Sequence, residues 1–194
     1  MPYSRGTKIE DEISLKIIDT AMEIASEEGI ASLTVSKIIN RMDVTNRVFY
    51  NRFKDVPDVI AAVYDKVVFQ LRGCFDTPYD GKQDLCEYIM GLAVSVLKKT
   101  YETKLHFAGY LYNYDIFLDE NREWWINHMI PLIDLGIEQG IFKKTDSRLL
   151  AYSVWCYCRG FNASSVGNNL SKEEAIKAFK LGFKCFMNGA RKEL

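Results

Sequence analysis

Long apolar runs are missing from this chain of 194 residues. The longest candidate, Leu149 to Cys158, is about half of the ~18 residues that suggest a membrane span, and it contains Tyr and Ser. The amino-terminal MPYSRGTKIEDE has no apolar signal core, so the chain is expected to stay in the cytoplasm without a membrane partner. Histidine is scarce: His106 and His128 stand far apart in sequence and support no paired-histidine metal site. The five cysteines are odd in number and irregularly spaced, which excludes a simple disulfide framework. Cys156 and Cys158 are two apart in a helical pattern and point in different directions, so free thiols are expected and no metal or cofactor. There is no Walker loop, no HExxH and no nucleophile elbow, so the chain is not expected to be an enzyme. Excess positive charge is also lacking, since 25 Lys and Arg face 26 Asp and Glu for a net charge of -1.

What is present is an ordinary globular mixture, 48% hydrophobic and 26% charged, that can build a sizeable core. The charges are unevenly placed. Between Thr34 and Lys54 stand Lys37, Arg41, Arg47, Arg52 and Lys54 with Asp43 as the one acid, while acids cluster between Glu10 and Glu28. A local basic face beside an acidic one suits a reader of DNA.

The pattern in this region is helical. Leu15 to Glu28 carries a wide apolar stripe, with Ser14 as expected N-cap and Gly29 as stop. Ile30 and Leu33 are expected to plug the core. Thr34 caps a second short helix whose Val35, Ile38 and Ile39 face inward, ending near Met42 and Asp43. Thr45 caps a third, about Asn46 to Arg52, with Val48 and Phe49 inward and Asn46, Arg47, Tyr50 and Asn51 outward. Two short helices joined by a turn of about three residues form a helix-turn-helix. Arg pairs with guanine and Asn with adenine in the major groove, while Tyr, Lys and helix N-termini suit phosphates. Asp55 then caps a long fourth helix with Pro57 in its first turn.

From about Ile17 to Val67 the sequence resembles the TetR family of bacterial transcriptional regulators, most diagnostically in VTNRVFYNRFKD, residues 44 to 55. The resemblance implies an all-α fold of about nine helices. A three-helix DNA-binding domain with a helix-turn-helix (residues 1–55) would be joined through the long fourth helix to an effector-binding and dimerisation domain (residues 56–194). Residue by residue it puts Thr34 on phosphate, Thr45, Asn46, Arg47 and Asn51 at recognition-helix positions, and Tyr50 and Lys54 on backbone phosphate. Lys37 joins them on the basic face. Two features depart from the family pattern: Met42 and Asp43 replace an Ala-Gly pair in the turn, and Arg47 stands where Gly is frequent. Both leave the operator sequence open.

Beyond residue 72 the pattern stays helical: about Gln83 to Lys99, Thr103 to Leu118, Glu120 to Gln139 with Pro131 kinking or dividing it, Asp146 to Ser164, and Ser171 to Asn188 behind a Ser171–Glu174 capping box. Asn162 to Asn169 reads as a polar connection. In the family the last two helices pair with their copies, which implies a homodimer interface including Leu150, Val154, Phe161, Ile176, Phe179 and Phe183. The effector-pocket candidates are Phe107, Tyr110, Tyr114, Trp124, Trp125, His128 and Trp155, aromatic side chains with a few polar anchors. The implied function is a ligand-responsive repressor, a homodimer on a near-palindromic duplex operator released by a small-molecule effector. The second reading is a helical dimer that binds a small molecule but has decayed or non-specific DNA binding.

Overall fold

A computed structural model describes residues 9–102, 119–167 and 170–192. The chain divides between Phe69 and Gln70 into two compact units. Among the described residues are eight α-helices and no named strand. The helix expected over Thr103 to Leu118 lies outside them.

The first unit begins with α1 (Glu12–Glu28), whose Ile17, Ile18, Ala21, Ile24 and Ala25 are buried at intervals of three and four. Its N-cap is Asp11 and not Ser14. The Asp11 carboxylate accepts the Ser14 N–H at 2.9 Å, and Ser14 Oγ returns to the Asp11 N–H, so Ser14 is the far side of a capping box. Gly29, at φ 83°, ends the helix with its N–H on the Ala25 carbonyl. A single 3-10 turn, Ile30–Ser32, leads to the buried Leu33. Then come α2 (Val35–Met42) and α3 (Asn46–Tyr50). The long α4 (Val56–Arg72) begins in this unit, with Asp55 Oδ1 accepting the Asp58 N–H, and runs past the division.

In the second unit α5 (Leu85–Glu102), α6 (Asp119–Glu138), α7 (Ser147–Gly167) and α8 (Lys172–Ala190) surround one core. Its fully buried members include Leu85, Ile89, Leu97, Ile126, Ile133, Phe142, Phe179 and Phe183. Asp146 accepts the Leu149 N–H, and Ser171 and Glu174 make the expected capping box. Pro131 does not divide α6. Pro131 and Asn127 are both exposed, so water can serve the carbonyl that proline deprives of its donor. The expected connection from Asn162 instead continues α7 to Gly167, because Asn162, Ser165 and Val166 are buried and Ser165 Oγ donates to the Asn162 carbonyl within the helix. Among the described residues no helix is long and apolar enough to cross a membrane.

The segment after α6 is bound to the end of α8 by a single bridge, Phe142 to Arg191, with the Lys143 N–H on the Ala190 carbonyl at 2.9 Å. The Ile141 and Phe142 N–H groups both donate to the Gly136 carbonyl, which folds the Phe142 ring onto Gly136. A Cβ there would overlap that ring. Gly136→Ala should therefore cost about 1–3 kcal/mol by overpacking. Thermal unfolding should show a fall of roughly 2–4 °C per kcal/mol; an unchanged midpoint would contradict the packing described.

Candidate nucleic-acid interface

Helix α3 has five residues, too few to persist alone. Phe49 anchors it: the side chain is wholly buried, 6.0 Å centroid to centroid from the equally buried Phe53. Burial of such a side chain contributes on the order of 1.5–3 kcal/mol. Just beyond α3, Arg52 grips the chain's first helix. Its Nε donates to Asp11 Oδ1 at 2.9 Å, its Nη2 to Asp11 Oδ2 at 2.6 Å, and its Nη1 to the Val48 carbonyl. Asp11 thus caps α1 and clamps the end of α3 together. The Arg52 guanidinium, followed by the Ser14 N–H, holds the Asp11 carboxyl well below the usual carboxylate range.

The geometry revises the basic face read from the sequence. Arg52 is buried in that clamp. Lys37 Nζ donates to Glu28 at 2.5 Å, and Arg41 pairs with Glu27 at 2.7 Å and Glu28 at 3.6 Å. The Lys37 ammonium keeps the Glu28 carboxyl below its ordinary value. Among the described residues from Thr34 to Lys54, the cations outside ion pairs are Arg47 and Lys54. The acids at the end of α1 neutralise Lys37 and Arg41, and spacing within α2 alone could not reveal it, because the partners lie 9 and 14 residues away.

Around α3 the other expected residues share one exposed side. Thr45, Asn46, Arg47, Tyr50 and Asn51 are all exposed, and Val48 is half-buried. Thr45 occupies the N-cap, yet its hydroxyl makes no capping bond. Thr34, in contrast, accepts the Lys37 N–H at 3.2 Å. The Tyr50 ring meets Phe49 edge to face at 5.3 Å and stays exposed. Lys54 is exposed, fixed by its own N–H on Asp58 Oδ2. In the turn, Asp43 is the positive-φ residue other than glycine among the described residues, at φ 51° and ψ 48°. Its N–H reaches the Asn40 carbonyl and the Val44 N–H the Ile39 carbonyl, so the turn closes without glycine.

The second unit holds the remaining candidates. Trp124, Trp125 and His128 gather with Phe75: Trp124 and His128 are stacked at 3.7 Å, Trp124 and Trp125 meet edge-on at 4.9 Å, and Phe75 lies 5.4 Å from Trp125. Trp155 packs with Tyr152 and Arg159 of its own helix. Phe107, Tyr110 and Tyr114, like His106, lie outside the described residues. Of the expected interface residues, Val154, Phe179 and Phe183 are buried in the protomer's own core and offer no surface to a second copy. Leu150, Phe161 and Ile176 are half-buried against that core. The outer faces of α7 and α8 instead present Leu149, Tyr152, Cys156, Leu181 and Cys185. Sequence reasoning passed over Arg72, whose guanidinium lies on the Trp124 ring. Among the described residues no group of His, Cys, Asp and Glu could hold a metal ion.

Residues 17–63 match the family model for bacterial regulatory proteins of the tetR family. No curated protein matches the chain. Similar solved structures include a TetR-family transcriptional regulator from Pectobacterium atrosepticum, 17% identical at a TM-score of 0.72, covering 94% of this chain and 95% of that one. The fatty acid degradation regulator FadR from Bacillus halodurans gives 17% and 0.72 over 91% and 96%. A regulator of the TetR/AcrR family from Thermobifida fusca gives 19% and 0.71 over 94% and 100%. At these identities the likeness is one of fold.

Because the Asp11 carboxyl titrates below its ordinary value of 3.8, the stability it lends is fully present above that pH and is lost as pH falls below it. Asp11→Asn retains a capping side chain and loses the charge. Acid unfolding of the variant should be flatter below about pH 4, with lower stability at neutral pH. Equal acid dependence in both proteins would rule out the clamp as the origin.

Proposed function

The chain has the fold of TetR-family transcriptional regulators, and on that premise we propose that it is a ligand-responsive DNA-binding repressor. It acts as a homodimer on a near-palindromic operator in the cytoplasm, and a small-molecule effector releases it. The observation that carries this reading is the outward face of α3, where Thr45, Asn46, Arg47, Tyr50 and Asn51 stand exposed around a helix pinned from behind by Phe49. Arg47 and the two asparagines are the base readers, with guanine and adenine as their matched edges. Thr34, Tyr50 and Lys54 hold phosphates and set the register. Lys37 contributes only as far as it exchanges Glu28 for a phosphate.

Two copies place two such helices on half-sites about one turn or more apart. The exposed Leu149 and Tyr152 of α7 and Leu181 of α8 support a dimer face on those helices. The effector acts by favouring a different spacing of the two reading heads, and its differential affinity for the two states bounds the release it can cause.

Selection of bound duplexes from a random pool tests the reading as a whole. A two-fold-related motif should be enriched; enrichment of nothing would favour a dimer whose specific DNA binding has decayed. Within the module, Glu28→Gln should free Lys37 and Arg41 for phosphate. Binding should tighten at low salt, and each added phosphate contact should steepen the log–log salt slope by about 0.9. A slope equal to wild type would show that these pairs do not restrain the cations. For the dimer, Leu181→Glu should give a folded monomer by sedimentation. Retention of the dimer would move the interface elsewhere.

A further inference from the structure

Arg72 ends α4, and among the described residues its charge has no acidic partner. Arg41, Arg52, Arg122, Arg148 and Arg191 each pair with a carboxylate. The half-buried Arg72 does not. Its Nη2 donates to the neutral Asn121 Oδ1 at 3.0 Å, its Cζ lies 4.8 Å from the centre of the Trp124 ring, and its Nε is buried with no hydrogen-bond partner. A guanidinium removed from water without a counter-ion, with a donor left unmade, is costly.

The unused donor belongs to a specific edge. At Arg52 the Nε and Nη2 groups together hold both oxygens of the Asp11 carboxylate. At Arg72 the same edge is half used, by an amide oxygen that supplies one acceptor where the fork has two donors. The surroundings are aromatic: Phe75 lies 5.8 Å from Trp124 and 5.4 Å from Trp125, both edge-on, and His128 stacks on Trp124. Flat π-systems line a fork that matches a carboxylate.

We propose that Arg72, with Phe75, Trp124, Trp125 and His128, forms the binding site for a flat aromatic carboxylate. The carboxylate takes the Nε and Nη2 edge of Arg72 from Asn121, and the ring packs among the aromatic side chains. The proposal rests on the reading of the second unit as an effector domain and gives that effector its chemical class. It also explains why Arg72 has no acidic partner among the described residues: a resident carboxylate would compete with the ligand for the fork.

The probes are benzoate, cinnamate and indole-3-carboxylate, each beside its neutral amide, titrated into the full-length protein and followed by calorimetry and tryptophan fluorescence. At least one acid should bind saturably and at least about tenfold more tightly than its amide, since charge-assisted forked bonds are the stronger class. Arg72→Gln should erase that preference, and Arg72→Lys, which keeps the charge and loses the fork, should reduce it. Equal binding of acid and amide, unaltered preference in Arg72→Gln, or no saturable acid binding would overturn the site. The acid–amide comparison in the wild-type protein needs no variant to fold. Release of selected DNA is read separately. An acid that binds through Arg72 yet leaves DNA affinity unchanged would preserve the site and overturn the effector reading. An amide that releases DNA as well as its acid would do the reverse.

Discussion

A helix of five residues cannot hold itself together, and the amino-terminal unit is organised around that constraint. Phe49 fixes the helix by its inner side, and the Arg52–Asp11 fork fixes the chain just beyond it. Asp11 is simultaneously the cap of α1. Local and long-range order therefore share one carboxylate, and the exposed side chains of α3 are presented from a frame that none of them helps to build.

The same economy governs charge. A sequence count finds five cations from Thr34 to Lys54, but three of them tie helices together. Lys37 and Arg41 bind the last turn of α1 to α2, where the acids Glu27 and Glu28 would otherwise meet the negative end of their own helix unopposed. Asp43 adds to this restraint. It occupies the left-handed position of the turn, which glycine fills at lower conformational cost, and places an acid beside the exposed face.

The helices and the composition of the α3 face were legible in the sequence because both depend on local periodicity and caps. Thr34, Asp55, Asp146 and Ser171 stand where their hydrogen-bonding preferences put them, and Thr45 holds the N-cap position without a side-chain bond. What the sequence concealed depends on distance. Ser14 reads as the cap of α1, but Asp11 takes that position, and Arg52, 41 residues away, shares the Asp11 carboxylate with the cap. Val154, Phe179 and Phe183 have the apolarity of interface residues, but periodicity alone does not say whether a helix's apolar face meets its own protomer or another. Arg72 reads as an ordinary last-turn cation; only packing shows its unfilled donor beside Trp124.

The ion pairs between α1 and α2 also bear on how a regulator of this kind would spend its time. Attraction to DNA of any sequence grows with each cation free to replace a counter-ion, and a bacterium-sized excess of wrong sites holds a strongly basic protein for much of its search. With Lys37 and Arg41 occupied by Glu27 and Glu28, a module that binds as proposed would have fewer cations to offer an arbitrary duplex. Its visits to wrong sites would be correspondingly brief, and its residence on the right one would fall to the uncharged and forked contacts proposed for α3. A protein held in place mainly by what it reads is one that a modest change of geometry can dislodge.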